Sequence, residues 1–147
     1  MPIVPSRAVR LVLDTNTALS GLLWQGTPGK LIDAAKQQEV ELFSSTPLLA
    51  ELLGVMTRSK FADALAARGL QAQTLFEGYA ALVQLVTPAQ INPTIVRDSA
   101  DDAVLACALA AQADYIVSGD AHLLDLKRYR EMPVVTAAQA VQAIAAR

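Results

Sequence analysis

The feature that most narrows the fold is a set of four short apolar runs, at residues 9–13, 40–43, 115–118 and 133–135. None shows clear polar alternation, so none reads as a strand with one face in water. A strand that is apolar on both faces must be covered on both faces, which is the condition of a parallel sheet flanked by crossover helices. The segments between the runs supply those helices. Pro28 and Pro47 each follow a threonine, a cap-plus-proline signal for a helix start. Leu48, Leu49, Leu52, Leu53 and Met56 then recur at helical spacing. The expected architecture is α/β, a three-layer α/β/α sandwich around a central parallel sheet of four to five strands. The 27 alanines of the 147-residue chain suit its helical share.

Further helices are expected from Thr27-Pro28 with Leu31, Ile32 and Ala35 on the apolar face, and over residues 61–68 (closed by Gly69) and 102–113. Another follows the stripe Leu75, Phe76, Tyr79, Leu82, Val83 and Val86, running toward a short strand, and a last one runs from Thr136 through Ile144. Residues 1–8, with Pro2 and Pro5, read as a flexible leader, and 9–147 as a single domain long enough to bury a full core. The longest apolar run, residues 103–111, spans nine residues, whereas a membrane helix needs about 20. The chain is therefore expected to be soluble. Asp14 interrupts the apolar stretch behind Arg7 and Arg10 before a secretory h-region develops. A single cysteine, Cys107, leaves no disulfide framework and no cysteine-rich zinc site, and suits a reducing cytoplasm. With a net charge of -2, any contact with a polyanion needs a local basic patch or a bound cation.

The acids are informative because of where the strand pattern puts them. Parallel α/β sheets bind ligands beyond the carboxyl ends of their strands, the edge that also receives the N-termini of the returning helices. Asp14 follows the first run, and Glu51 lies little more than a turn into the helix after the second. Asp101 and Asp102 open the helix before the third run, and Asp120 comes two residues after that run. All map to one rim. Two carboxylates about 5 Å apart repel by roughly 3 kcal/mol at an effective dielectric of about 20, so a cleft that gathers several calls for protons or a cation. An all-oxygen donor set selects Mg²⁺ or Mn²⁺ rather than zinc. Such an ion neutralises a phosphodiester and acidifies a water without any protein nucleophile.

The residues that carry this pattern also resemble a known family. The segments Leu11-Val12-Leu13-Asp14-Thr15-Asn16, Glu51, Asp102-Ala103-Val104-Leu105-Ala106-Cys107-Ala108 and Val117-Ser118-Gly119-Asp120 resemble the PIN domain in order, spacing and strand-end position. They are most similar to the VapC-like toxin components of toxin–antitoxin systems. The resemblance implies a Mg²⁺- or Mn²⁺-dependent endoribonuclease, a small antitoxin protein as partner, a homodimer and a cytoplasmic location. It assigns Asp14, Glu51, Asp102 and Asp120 to catalysis and metal binding. Asn16 or Thr15 orients a ligand or water, and Ser118 stands behind the acids. Asp102 is preferred over Asp101 because the Asp-Ala-Val-Leu-Ala continuation fits, although Asp101 can share or replace its role. Arg58 and Lys60 fall where the resemblance places partner contacts.

Other readings compete residue by residue. Asp98 and Asp101 have a sufficient structural role as cap and first-turn acid of a helix. His122 has no second histidine or cysteine to make a zinc site, and Cys107 reads as a small core residue. Trp24 suits either a core position or a partner anchor. Lys127, Arg128 and Arg130, around Tyr129, form the densest basic cluster. That cluster reads as a solvated loop or as a contact for an RNA backbone. Two further functions share parts of the pattern. One is a PIN module that binds RNA or protein without cleaving it. The other is a small-molecule phosphatase using Asp14, which Asn16 disfavours because that chemistry wants a second aspartate there.

Overall fold

The computed structural model describes residues 8–24, 26–92 and 99–146. The residues expected to form the leader, apart from Ala8, and Asp98 lie outside the described residues. The first strand, β1 (Val9–Leu13), shows why the apolar runs do not alternate. Val9, Leu11 and Leu13 enter the core on one face of the sheet, and Val12 enters the core on the other. It pairs in parallel with β2 (Val40–Ser44) on one side and β4 (Tyr115–Val117) on the other. Beyond β2 lies β3 (Gln84–Leu85); beyond β4 lies β6 (Met132–Val135), which pairs in turn with antiparallel β5 (Arg128–Tyr129). The strand order is β3-β2-β1-β4-β6-β5.

The four apolar runs and the short strand at the end of the Tyr79 stripe are thus present as strands. The sixth strand, β5, goes beyond the four to five expected. It has two residues and sits in the basic cluster, where no apolar pattern announces it. Helix α1 (Thr15–Leu23) was not expected either, because Thr15, Asn16, Thr17 and Ser20 weaken its helical signature. Helices α2 (Thr27–Lys36), α3 (Thr46–Met56), α4 (Ser59–Ala66) and α5 (Ala72–Leu82) follow the expected segments. The caps of α2 and α3 lie one residue earlier than the threonines: Gly26 precedes α2, and Ser45 Oγ accepts from Leu48 N at the head of α3. Helix α6 (Ser99–Ala111) starts before Asp102, the short α7 (Ala121–Leu124) follows Asp120, and α8 (Ala137–Ala145) begins at a Thr136–Gln139 capping box.

Two cores flank the sheet. One joins β1, β2 and Val117 to α1, α2, α8 and the α3–α5 layer; the other packs α6 and Leu123 against Val12, Phe43, Ile116 and Val134. Arg10, on β1, fastens the far end of α6: its Nη1 donates to Ala111 O, and its backbone N–H donates to Asp114. Trp24 settles on the surface at the end of α1, 57% exposed beneath the Arg68 guanidinium. No helix among the described residues is long and apolar enough to cross a membrane.

Candidate functional site at the carboxyl rim of the sheet

The chain lays down β1, β2 and β3 in one direction, then returns to place β4 on the other side of β1. The reversal lies between β1 and β4, and such switch points open a crevice at the carboxyl ends of the strands. Asp14 and Ser118 are the first residues beyond those two ends. Asp14 N donates to Val117 O at 3.0 Å, and Ser118 N donates to Val135 O at 2.9 Å, so the sheet ladder itself fixes both residues.

The side chains then interlock. Asp14 caps α1, its Oδ1 accepting from Thr17 N at 2.8 Å, while its Oδ2 accepts from the Ser118 hydroxyl. Ser118 Oγ in turn accepts from Asp120 N at 2.9 Å, and Asp120 Oδ1 caps α7 by accepting from His122 N at 2.7 Å. One buried hydroxyl therefore ties together the two acids that follow β1 and β4. Asp14 is 5% exposed and Ser118 1%. No lysine or arginine pairs with Asp14 or Asp120 among the described residues. The Asp14 charge is held by neutral donors and the α1 N-terminus alone, an arrangement that favours an added cation. Next to this pair opens a cleft of about 430 Å³, lined by Asn16, Thr17, Ser20, Ser118, Asp120 and Thr136 among others.

The remaining sequence candidates are distributed around this centre. Thr15 is buried and Asn16 exposed into the cleft. Glu51 is half-buried on α3 and does not line that cleft. Asp101 is buried, on the side of α6 that carries Val104, Leu105 and Ala108 into the core. Asp102 is half-buried and lines a different cleft, with Gln90, Asn92 and Arg130. Among the described residues no three carboxylate, histidine or cysteine side chains stand together as a ready-made metal site. His122 is exposed and serves through its backbone. Lys127, Arg128 and Arg130 are all exposed; Arg58 and Lys60 are exposed at the head of α4.

Beneath the rim lie groups that the sequence reading assigned only to packing. Burial, and then the nearby Cys107 and Asp14, push the Tyr79 phenol well above its ordinary range. Burial likewise pushes the Cys107 thiol up to about 12, against the opposing effect of a hydrogen bond with Ser45. Both groups stay neutral at any physiological pH, so the negative charge at the rim belongs to the carboxylates. The signal for Ser45, a serine one residue before Thr46-Pro47, was present in the sequence but was taken by the neighbouring threonine.

A family model described as the PIN domain matches residues 10–122. The chain belongs to the PIN domain family. The matched span holds Asp14, Glu51, Asp101, Asp102, Ser118 and Asp120 and stops inside α7, leaving β5, β6 and α8 of this PIN domain outside it. Among solved structures, the fold is similar to the crystal structure of VapBC2 from Rickettsia felis bound to a DNA fragment from their promoter. The TM-score is 0.56 at 16% identity, covering 86% of this chain and 97% of that one. No curated protein matches the chain in sequence.

Proposed function

We propose that this PIN domain is a metal-dependent endoribonuclease that hydrolyses RNA phosphodiester bonds and acts as the toxin of a toxin–antitoxin pair. The observation that carries the reading is the Asp14–Ser118–Asp120 relay at the switch point of the sheet, with a buried carboxylate that no cationic side chain among the described residues offsets. The likeness of the fold to a VapBC structure supports the toxin context, with a small antitoxin protein as partner, a homodimer as the assembly and the cytoplasm as the place of action. The oxygen donors suit Mg²⁺ or Mn²⁺ in type. Asp14 and Asp120 would hold the ion, with Glu51 from α3 and the acidic start of α6 as further ligands. Of the two acids there, burial on the sheet-facing side supports Asp101 for that share, since Asp102 turns to another cleft.

A divalent ion held there supplies charge neutralisation for the phosphodiester and a more acidic water. The chain's own side chains do the rest. Ser118 and the α1 N-terminus fix the Asp14 carboxylate in one orientation, so no reorganisation is needed as substrate arrives. Asn16, Thr17 and Ser20 present amide and hydroxyl groups along the cleft wall, suited to hydrogen bonds with phosphate and ribose oxygens. In hydrolysis a water oxygen bonds to phosphorus and gives up one proton to solvent, the opposite phosphorus–oxygen bond breaks, and the departing alkoxide takes up one proton from solvent. No side chain becomes covalently attached.

The test is RNA cleavage by purified protein with Mg²⁺ or Mn²⁺, beside Asp14→Asn. The amide oxygen of asparagine can still accept from Thr17 N, so the variant is expected to fold and to lose at least about a hundredfold in rate, as losing an electrostatic anchor of the reaction does. Full cleavage by a folded Asp14→Asn protein refutes the assignment. A second reading, a PIN module that binds RNA or protein without cutting, is favoured by the absence of a three-ligand cluster among the described residues. It predicts RNA retention with no cleavage at millimolar metal.

A further inference from the structure

Three of the helices that begin at the carboxyl rim meet beside Asp120. Helix α1 follows β1 and α8 follows β6, while α2 runs down to β2 and so starts at the same edge. Ser118 N donates to Val135 O, which sets Thr136, the first residue beyond β6, next to the serine that binds Asp14. The 430 Å³ cleft lies among these ends, with Asn16, Thr17 and Ser20 of α1, Pro28 of α2, and Thr136 and Ala137 of α8 on its walls. A helix start leaves amide N–H groups that its own turns cannot satisfy. Asp14 serves the start of α1 by accepting from Thr17 N. In α8 the capping box takes Thr136 N and Gln139 N, and Ala140 N donates to Thr136 O, which leaves Ala137 N and Ala138 N without an acceptor among the described residues. In α2 the cap is Gly26, which has no side chain to offer, and Pro28 carries no N–H, so Thr27 N and Gly29 N are left in the same way. Helix α2, of ten residues, packs against both α1 and the nine-residue α8, so the positive ends of α2 and α8 lie at one cleft. Gly21 allows the approach: a β-carbon there would stand 2.7 Å from Ile32 Cδ1 and 3.1 Å from Pro28 O. A side chain adds an independent observation. Thr17 is 6% exposed and lines the cleft, yet its hydroxyl has no hydrogen-bond partner among the described residues. A buried hydroxyl on a helix ordinarily bonds back to the preceding turn or finds another partner.

We propose that this cleft binds a phosphate group of the RNA chain, the one next to the bond that is cut, through the amides that begin α2 and α8 and the Thr17 hydroxyl. The inference rests on the ribonuclease reading above and names the part of the substrate that the cleft takes. Converging helix starts attract anions, and fixed N–H and O–H donors suit the oxygens of a phosphate. Asp120 also stands on the cleft wall, with its Oδ1 turned to His122 N. Its charge opposes an anion until a divalent ion offsets it, so phosphate binding is expected to need Mg²⁺ or Mn²⁺. Thr136 and Ala137 lie beyond the residues matched to the family, so the α8 side of the cleft comes from this chain's C-terminal part.

The experiment titrates the isotope-labelled full chain, in Mg²⁺, with uridine monophosphate and separately with uridine, and follows the backbone amides by NMR. The monophosphate is expected to shift the signals of Gly29, Ala137 and Ala138, and uridine to leave them in place. Ala137→Pro removes one of these N–H groups at the first position of a helix, where proline fits, and Thr136 before it is already extended at ψ 165°. It is expected to weaken monophosphate binding about tenfold while the melting temperature holds. Thr17→Val removes the hydroxyl and keeps the backbone cap, with a similar loss, since a hydrogen bond to a charged group is gone. Thr17→Ser retains binding. Lys36→Gln changes a charge at the far end of α2 and is expected to alter affinity less than about twofold, because exposed charges are screened. Unchanged affinity in both Thr17→Val and Ala137→Pro overturns the inference, and if the wild type cuts RNA the nuclease still stands. Equal binding of uridine, or a Lys36→Gln effect as large as the others, overturns it too. Variant-sensitive binding by a wild type that cuts no RNA with Mg²⁺ or Mn²⁺ refutes the ribonuclease reading and keeps the cleft as a phosphate site.

Discussion

Ser118→Ala removes one oxygen, and the structure gives the consequences term by term. The Ser118 hydroxyl is the donor to Asp14 Oδ2 and the acceptor for Asp120 N. Losing a hydrogen bond to a buried carboxylate costs about 1.5–3 kcal/mol. Losing the bond from the part-buried Asp120 N–H costs about 0.5–1 kcal/mol, because water can replace the lost acceptor. The side chain is 1% exposed and alanine leaves a space of only one oxygen atom, so cavity terms are small. The total is about 2–4 kcal/mol, which for a chain of this length lowers the melting temperature by roughly 6–12 °C. The assay is urea denaturation of both proteins, read by the shift of midpoint at constant m. A loss below about 1 kcal/mol would show that Ser118 is not the tie between Asp14 and Asp120, and that another group holds the acids.

Two further outcomes follow from the cores. Cys107 has a folded pKa of about 12 against an ordinary 9.0. A raised pKa means that folding favours the neutral thiol, so its contribution is complete below about pH 9 and is lost as pH climbs toward 12. Unfolding free energy should fall there by about 1.4 kcal/mol per pH unit, and Cys107→Ala should flatten that limb; Tyr79, raised in the same direction, adds to the loss at the most alkaline end. The native thiol, wholly buried, should resist alkylation until the protein unfolds. Leu105, fully buried between α6 and the sheet, should cost about 3–4 kcal/mol on truncation to alanine; an equilibrium unfolding shift under 2 kcal/mol would mean that the α6 layer is loosely packed.

What the sequence made legible was whatever burial writes into residue type. The run Val-Arg-Leu-Val-Leu followed by Asp-Thr-Asn specified both a strand covered on two sides and an acid at its end, because core packing and the rim each demand one kind of side chain. The start of the last helix at Thr136 was legible because a threonine is a common helix cap, and the structure adds its partner Gln139. Helix α1 was hidden because its stability comes from Asp14 capping and from tertiary burial of Leu19 and Leu23, not from its own propensities. Strand β5 was hidden because two residues between Lys127 and Arg130 carry no periodicity, and its pairing is dictated by a turn with a left-handed arginine. At the rim, the sequence could place the acids on one edge but not their rotations about the helices. Asp101 and Asp102 are adjacent in sequence and face different surroundings, one buried and one in the α6 cleft, since successive residues on a helix diverge by about 100°.

Asp14 and Ser118 are separated by 104 positions along the chain, yet they share one hydrogen bond. Until β4 has been synthesised and has slotted in beside β1, the acid after β1 keeps only its cap on α1 and lacks the serine, however well the first half has folded. Any fragment ending before residue 118, whether a nascent chain on the ribosome or a product of proteolysis, therefore lacks the assembled pair. In this arrangement completeness of the polypeptide becomes a precondition for assembling the rim.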